Sequence, residues 1–314
     1  MTVSLNHLAV VFPGQGSQSV GMMASFADAP VVRNTFAEAS EALGEDLWQL
    51  VADGPAEALA QTVNTQPVML TAGIAVWREW LARGGAEPAL VAGHSLGEYA
   101  ALVAAGVLEF ADAVRLVRFR AQAMQEAVPA GVGGMAAILN LSPELVAEAC
   151  AEAAQGESVA AANLNSPVQI VIAGHAGAVE RAMEACKARG AKRAVPLPVS
   201  APFHSALMKP AADRLAQRLA AVSFSAPRIP VLNNVDVKVE TDAAAIRDAL
   251  VRQAYSPVRW IETVEAMAPR GISAVLEFGP GKVLAGLVKR IDGALAVEAV
   301  TDAEALARIQ PQYC

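Results

Sequence analysis

One stretch restricts the fold of this chain more than any other: Val91-Ala92-Gly93-His94-Ser95-Leu96-Gly97-Glu98-Tyr99. Ala89-Leu90-Val91-Ala92 ahead of it is a short apolar run suited to a buried strand, and residues 98–105 behind it are strong helix formers that halt at Gly106. A strand that ends in G-x-S-x-G and turns at once into a helix needs glycine on either side of the serine, because a Cβ there would meet the neighbouring turn. Ser95 is thereby pushed out at the carboxyl edge of a parallel sheet, above a helix N-terminus whose free N–H groups favour negative charge. Small-residue turns of this kind often serve packing alone. A catalytic reading needs a base and an oxyanion donor as well.

The rest of the chain fits an α/β protein with an insert. Residues 8–12 read as a first strand that ends in Pro13-Gly14-Gln15-Gly16-Ser17-Gln18, with His7 just before it. This loop lacks the Gly-Lys-Ser/Thr ending of a phosphate loop. It nonetheless falls on the same sheet edge as Ser95, and the flanking glycines leave the Gln15 N–H free to face a ligand. Helical spacing predicts helices over 31–50, 55–61, 68–83 and 110–127, the third with Pro67 near its start. Between 133 and 200 the order is β-α-β-β-α-β, with strands at 135–139, 159–163, 169–174 and 193–197 and His175 in a turn, which is the ferredoxin-like split unit. We therefore expect a large α/β domain with a parallel sheet, resembling the α/β-hydrolase arrangement, over 1–130 and 201–314, and a small ferredoxin-like subdomain over 131–200. A strand at 230–235, a helix at 246–253, strands at 274–278 and 296–300 and a short polar tail complete the pattern.

Two further residues stand out. Along the 110–127 helix, Ala113, Leu116, Val117, Met124 and Ala127 form one apolar stripe with Arg120 in its middle, whereas Arg115 and Arg118 fall on the polar side. An arginine on a core face needs an anion or carbonyls, since an unpaired buried charge is very costly. It is either a structural arginine or, beside a nucleophile, a clamp for a substrate carboxylate. Among the four histidines, His204 follows a Pro202-Phe203 corner where the chain re-enters the large domain, so it is the leading candidate base for Ser95. His94 is the second, too near Ser95 in sequence to approach its Oγ easily.

These pieces resemble the malonyl-CoA:acyl carrier protein transacylases of fatty-acid synthesis. The resemblance spans nearly the whole chain: Phe12-Pro13-Gly14-Gln15-Gly16-Ser17-Gln18, Thr65-Gln66-Pro67, Gly93 to Tyr99, Arg120 with Met124 to Pro129, Asn163 with Asn165-Ser166-Pro167, His204 to Pro210, and Gly279 to Leu284. It implies an acylated serine at Ser95, a base at His204 and a malonyl-carboxylate partner at Arg120. It implies an oxyanion hole from the Gln15 and Leu96 amides, and a main-chain carbonyl at Gln253 that orients the histidine in place of an acid. Asn163 matches a residue near the active site. Phe203 stands where several members carry a smaller residue, and in related modular synthase transferases a Phe there accompanies malonyl over methylmalonyl choice. The implied partners are malonyl-CoA and acyl carrier protein, with no metal or other cofactor.

Composition agrees and excludes other classes. A net charge of −7 with no basic stripe argues against nucleic acid. No apolar run reaches the ~18 residues of a membrane span, and no secretory signal is evident. Cys150, Cys186 and Cys314 are scattered without metal or disulfide spacing, which fits a reduced cytoplasmic setting. Nothing calls for an obligate oligomer, so a monomer is expected. The same chemistry in a polyketide synthase or a malonate decarboxylase, a serine esterase, and a carrier-docking module are the alternatives. A generic ester pocket has no use for Arg120.

Overall fold

Alternation along the first strand sets both faces of the main sheet. Leu8, Val10 and Phe12 point to one side and Ala9 and Val11 to the other, all fully buried, as period-two side chains must in a sheet covered on both faces. The computed structural model describes residues 4–199 and 201–314. In chain order its strands are β1 (Ser4–Phe12), β2 (Glu87–Gly93), β3 (Gly133–Leu139), β4 (Val159–Ser166), β5 (Gln169–His175), β6 (Arg193–Pro196), β7 (Val231–Leu232), β8 (Ala274–Phe278) and β9 (Ala296–Val300).

Five of them form a parallel sheet in the order β7-β2-β1-β8-β9. Leu8, Val10, Phe12, Val91, Leu276 and Phe278 join the larger core cluster on one face. Ala9, Val11, Leu90, Ala92 and Val275 join a second cluster on the other, with Trp260 and Leu284. The helix Thr62–Ala82 crosses the larger core and is buried along nearly its whole length. It approaches the sheet closely at Gly73, where a Cβ would stand 3.2 Å from Phe12 Cδ1. Because the strands are parallel, the loops after β1, β2, β7 and β8 all leave the same edge.

The other four strands form an antiparallel sheet in the order β4-β5-β3-β6. With the helices Pro143–Ala154 and Ala176–Ala188 this is the βαββαβ order expected from the sequence, closed over its own core of Ala136, Ile138, Ile170 and Ile172. Its outer strand β4 is stitched to the main body by Val258, whose N–H donates to the Ala162 carbonyl and whose carbonyl accepts from Leu164 N–H, both at 2.9 Å. Ser200, the last residue of the expected subdomain, lies outside the described residues.

Several expectations need correction. The helix expected over 31–50 is two, Pro30–Leu43 and Leu47–Asp53. Gly44 at φ 69° ends the first, and the Asp46 side chain caps the second by accepting from Gln49 N–H. The helix expected from residue 68 begins at Thr62, with Pro67 inside it. Its first turn is held by Thr65, whose hydroxyl donates to the Leu59 carbonyl at 2.6 Å. The strand expected over 230–235 keeps only two residues, because Asn233 and Asn234 leave the ladder for other partners. Strand β4 runs on to Ser166 rather than ending at 163. His7 lies within β1 and His175 ends β5. The helix Trp260–Glu265 was not foreseen. The expected polar tail is a helix, Ala303–Ile309, anchored by buried Leu306 and Ile309. No helix among the described residues is long and apolar enough to cross a membrane.

Candidate active site

Ser95 sits at the apex of the β2-to-helix turn with φ 53°, a left-handed conformation that a non-glycine residue keeps only when its surroundings enforce it. Both glycines explain the enforcement. A Cβ on Gly93 would lie 1.9 Å from the Gly97 carbonyl carbon, and one on Gly97 would lie 2.0 Å from the Phe12 carbonyl oxygen. The contacts are with backbone, so nothing can swing aside. Gly93→Ala is expected to cost more than the ~1–3 kcal/mol typical of overpacking. Gly134→Ala, whose Cβ would meet nothing closer than 3.6 Å, should be nearly neutral. Urea unfolding of the two variants checks this.

The candidate base stands opposite. His204, in the loop that returns from β6, is buried and also held at positive φ, 58°. Its Nε2 lies 2.6 Å from Ser95 Oγ and its Nδ1 lies 2.8 Å from the Gln253 carbonyl oxygen. A carbonyl can only accept, so Nδ1 carries the ring proton and Nε2 offers its lone pair to the Ser95 hydroxyl. Burial first, and then the neighbouring Arg120 charge, push the imidazole down to about 3. It is uncharged at neutral pH and free to take a proton.

Arg120, 2 % exposed on the helix Phe110–Glu126, reaches the same point. Its Nη2 donates to Ser95 Oγ at 3.3 Å and to Gln253 Oε1 at 3.1 Å, and its Nη1 donates to Gln66 Oε1 at 2.9 Å. All three acceptors are neutral. The guanidinium also lies 5.4 Å from the Tyr99 ring centroid. Arg120 Nε and the Tyr99 hydroxyl have no partner among the described residues. Burial lowers the arginine's pKa and raises that of the Tyr99 phenol to about 12. A buried cation held only by amide and hydroxyl dipoles is a ready receptor for an anion beside the nucleophile.

Behind these groups runs a polar network. Ser95 N–H donates to Asn234 Oδ1 at 2.7 Å, and Asn234 Nδ2 donates to the Gly93 carbonyl at 2.7 Å. Gln253 Nε2 donates to the Ser95 carbonyl at 3.1 Å and to Glu98 Oε2 at 2.9 Å. On the side of the four-stranded sheet, His94 Nε2 lies 2.8 Å from Asn165 Oδ1 and the ring packs on Trp260. His94 therefore ties the turn to β4 and does not reach the Ser95 hydroxyl.

A cavity of about 580 Å³ opens over Ser95. Its walls bring together Gln15, Leu96, Arg120, Asn163, Phe203 and His204. The Gln15 loop arrives from β1, Asn163 from β4 and Phe203 from the return segment, so both sheets contribute. Gln253 stands beneath the cavity, not in its wall. Among the described residues the Gln15 and Leu96 main-chain N–H groups donate to no protein acceptor. Gln66, Glu98 and Asn165 fall within the motifs that carry the resemblance but have no role assigned from the sequence, and Asn234 lies outside them altogether. Glu98 carried one signal, a carboxylate opening an otherwise apolar helix, which also reads as an ordinary first-turn acid.

The acyl transferase domain family matches residues 9–312. The malonyl CoA-acyl carrier protein transacylase of Salmonella typhimurium is 62% identical over 303 residues, 96% of this chain and 98% of that protein. An acyl carrier protein S-malonyltransferase from Vibrio cholerae superposes with a TM-score of 0.95 at 59% identity, covering 96% of this chain and 99% of that one. A malonyl-transacylase solved with its type II PKS acyl-carrier protein superposes at 0.96 with 57% identity, covering 98% of this chain and 99% of its own.

Proposed function

The chain belongs to the acyl transferase domain family and, within it, to the malonyl CoA-acyl carrier protein transacylases; on that footing we propose that it is an acyl-carrier-protein S-malonyltransferase that works through a malonyl ester on Ser95. The observation that carries the reading is the Arg120 guanidinium 3.3 Å from a hydroxyl that is itself 2.6 Å from an uncharged imidazole. A nucleophile, its base and a receptor for a second carboxylate meet at one point.

In the first half-reaction Ser95 Oγ attacks the malonyl thioester carbonyl while His204 Nε2 takes its proton. The Gln253 carbonyl, bonded to Nδ1–H, stabilises the resulting imidazolium and stands in for the acid of a triad. The Gln15 and Leu96 amides receive the oxyanion. Collapse breaks the C–S bond, and the His204 proton leaves on the CoA sulfur. The phosphopantetheine thiol of acyl carrier protein then attacks the ester by the same steps in reverse. Arg120 holds the free malonyl carboxylate throughout. Phe203 crowds an α-methyl group, which favours malonyl over methylmalonyl, and Asn163 lines the same cavity. The chemistry needs no metal or prosthetic group.

We place the protein in the cytoplasm, as a monomer that supplies fatty-acid synthesis, and divide it into a catalytic domain over 1–130 and 201–314 and a small domain over 131–200. A second reading, transfer to a polyketide carrier protein, is favoured by the likeness to the transacylase solved with a type II PKS carrier. Mixing the protein with malonyl-CoA alone tests the chemistry. Intact mass should show one malonyl adduct, chased by the cognate carrier protein, with no comparable adduct from acetyl-CoA. Rapid CoA release without an adduct would mean hydrolysis and overturn the reading.

A further inference from the structure

Glu98 is 2 % exposed, carries a carboxylate, and takes no part in the mechanism above. Its Oε2 accepts two N–H groups, Asn234 main-chain N–H and Gln253 Nε2, each at 2.9 Å. The Gln253 amide is thus held at both ends, its oxygen by the Arg120 cation at 3.1 Å and its nitrogen by the Glu98 anion. An ion pair with one neutral amide inserted between the charges keeps the cation compensated without occupying its hydrogen-bonding edge. We propose that Glu98 is the counter-charge of Arg120, held off it by the Gln253 amide, and that seating a substrate carboxylate on Arg120 drives a proton onto Glu98.

The inference rests on the reading of the chain as a malonyl transferase. With the acyl carboxylate bound, one buried cation faces two buried anions, and the anion that can shed its charge most cheaply is the one already strained by burial. Burial pushes Glu98 up to about 7, against the lowering effect of its two N–H donors and of Arg120. Three further titratable groups, Asp236, Tyr99 and Glu240, lie about it. Asp236 raises Glu98 but is itself bound by Arg252 at 2.8 and 2.6 Å. Tyr99 stays protonated at about 12. Glu240 shares a small cavity with Glu98 and is half-buried. In the acylation step the Ser95 Oγ–C bond forms, the thioester C–S bond breaks and the serine proton leaves on CoA. One further proton comes from solvent to the Glu98 carboxylate.

Proton uptake on acylation tests this in weakly buffered solution with an indicator dye, with adduct formation followed in parallel by intact mass. At pH 7.5 the wild type should take up on the order of half a proton per malonyl adduct. Uptake should fall toward zero near pH 5.5, where Glu98 is already protonated in the free enzyme. Glu98→Gln is expected to form the adduct more slowly, since Arg120 loses its counter-charge, and the adduct that forms should appear with no uptake. Adduct formation without uptake at pH 7.5 would overturn the inference and leave the proposed function standing. Uptake that survives in Glu98→Gln, or that persists in the wild type at pH 5.5, would overturn it too, by placing the proton on His204. No adduct in the wild type would overturn the inference together with the function it rests on.

Discussion

The Ser95→Ala protein is expected to fold as its parent does and to lose malonyl transfer by on the order of 10⁴–10⁶ in kcat, the range seen when a nucleophile is removed from a serine–histidine pair. The fold should survive because the turn is enforced by Gly93, Gly97, Asn234 and Gln253 through backbone contacts, none of which uses the serine hydroxyl. What disappears is the hydroxyl that donates to His204 Nε2 and with it the covalent intermediate. Intact mass after malonyl-CoA treatment should show the unmodified chain, and a carrier-protein acylation assay should show background turnover. Residual transfer within about tenfold of the parent would mean that another group carries the acyl chain.

Arg120→Ala should have the next largest effect, and on selectivity as much as on rate. In the parent, an acetyl group leaves the desolvated guanidinium with only neutral groups as direct hydrogen-bond partners, whereas malonyl supplies an anion in direct contact. Sites built to bind a buried polar group discriminate by about 10⁴ against analogues that lack it. Removing the cation should lower kcat/KM for malonyl-CoA by on the order of 10³ and leave that for acetyl-CoA little changed, so the ratio collapses. Gln66 Oε1 and Gln253 Oε1 also lose their donor, which is expected to cost about 1–3 kcal/mol of stability for each acceptor left buried. Arg120→Lys keeps the charge but cannot span both glutamines, and should recover only part of the discrimination. An unchanged malonyl-to-acetyl ratio in Arg120→Ala would remove Arg120 from acyl recognition.

Much of this site was legible because local rules dominate there. A strand, two glycines and a helix place a serine at an exposed apex wherever they occur, and an arginine in the middle of an apolar helical stripe must find compensation. Other elements were misread where a distant partner overrode a local signal. Pro67 reads as a helix start, yet the turn before it is held by Thr65 reaching back to Leu59, and this puts Gln66 on a helix beside Arg120. Asn233 and Asn234 read as strand. Their hydrogen-bonding groups are instead spent on the turn of residues 236–238, on Glu98 and on the Ser95 turn.

The parallel α/β architecture, the βαββαβ insert and the candidate serine and arginine are legible along the chain, since each shows in a periodicity or a motif of contiguous residues, and the candidate histidine in its place after the Pro202-Phe203 corner. Which side chains compensate them shows only in the folded chain. The Gln253 side-chain amide between Arg120 and Glu98, and Asn234 under Ser95, span separations of 133 to 155 residues. A polar side chain shows its fixed number of donors and acceptors in the sequence. The partner that satisfies them inside a core is chosen by packing alone.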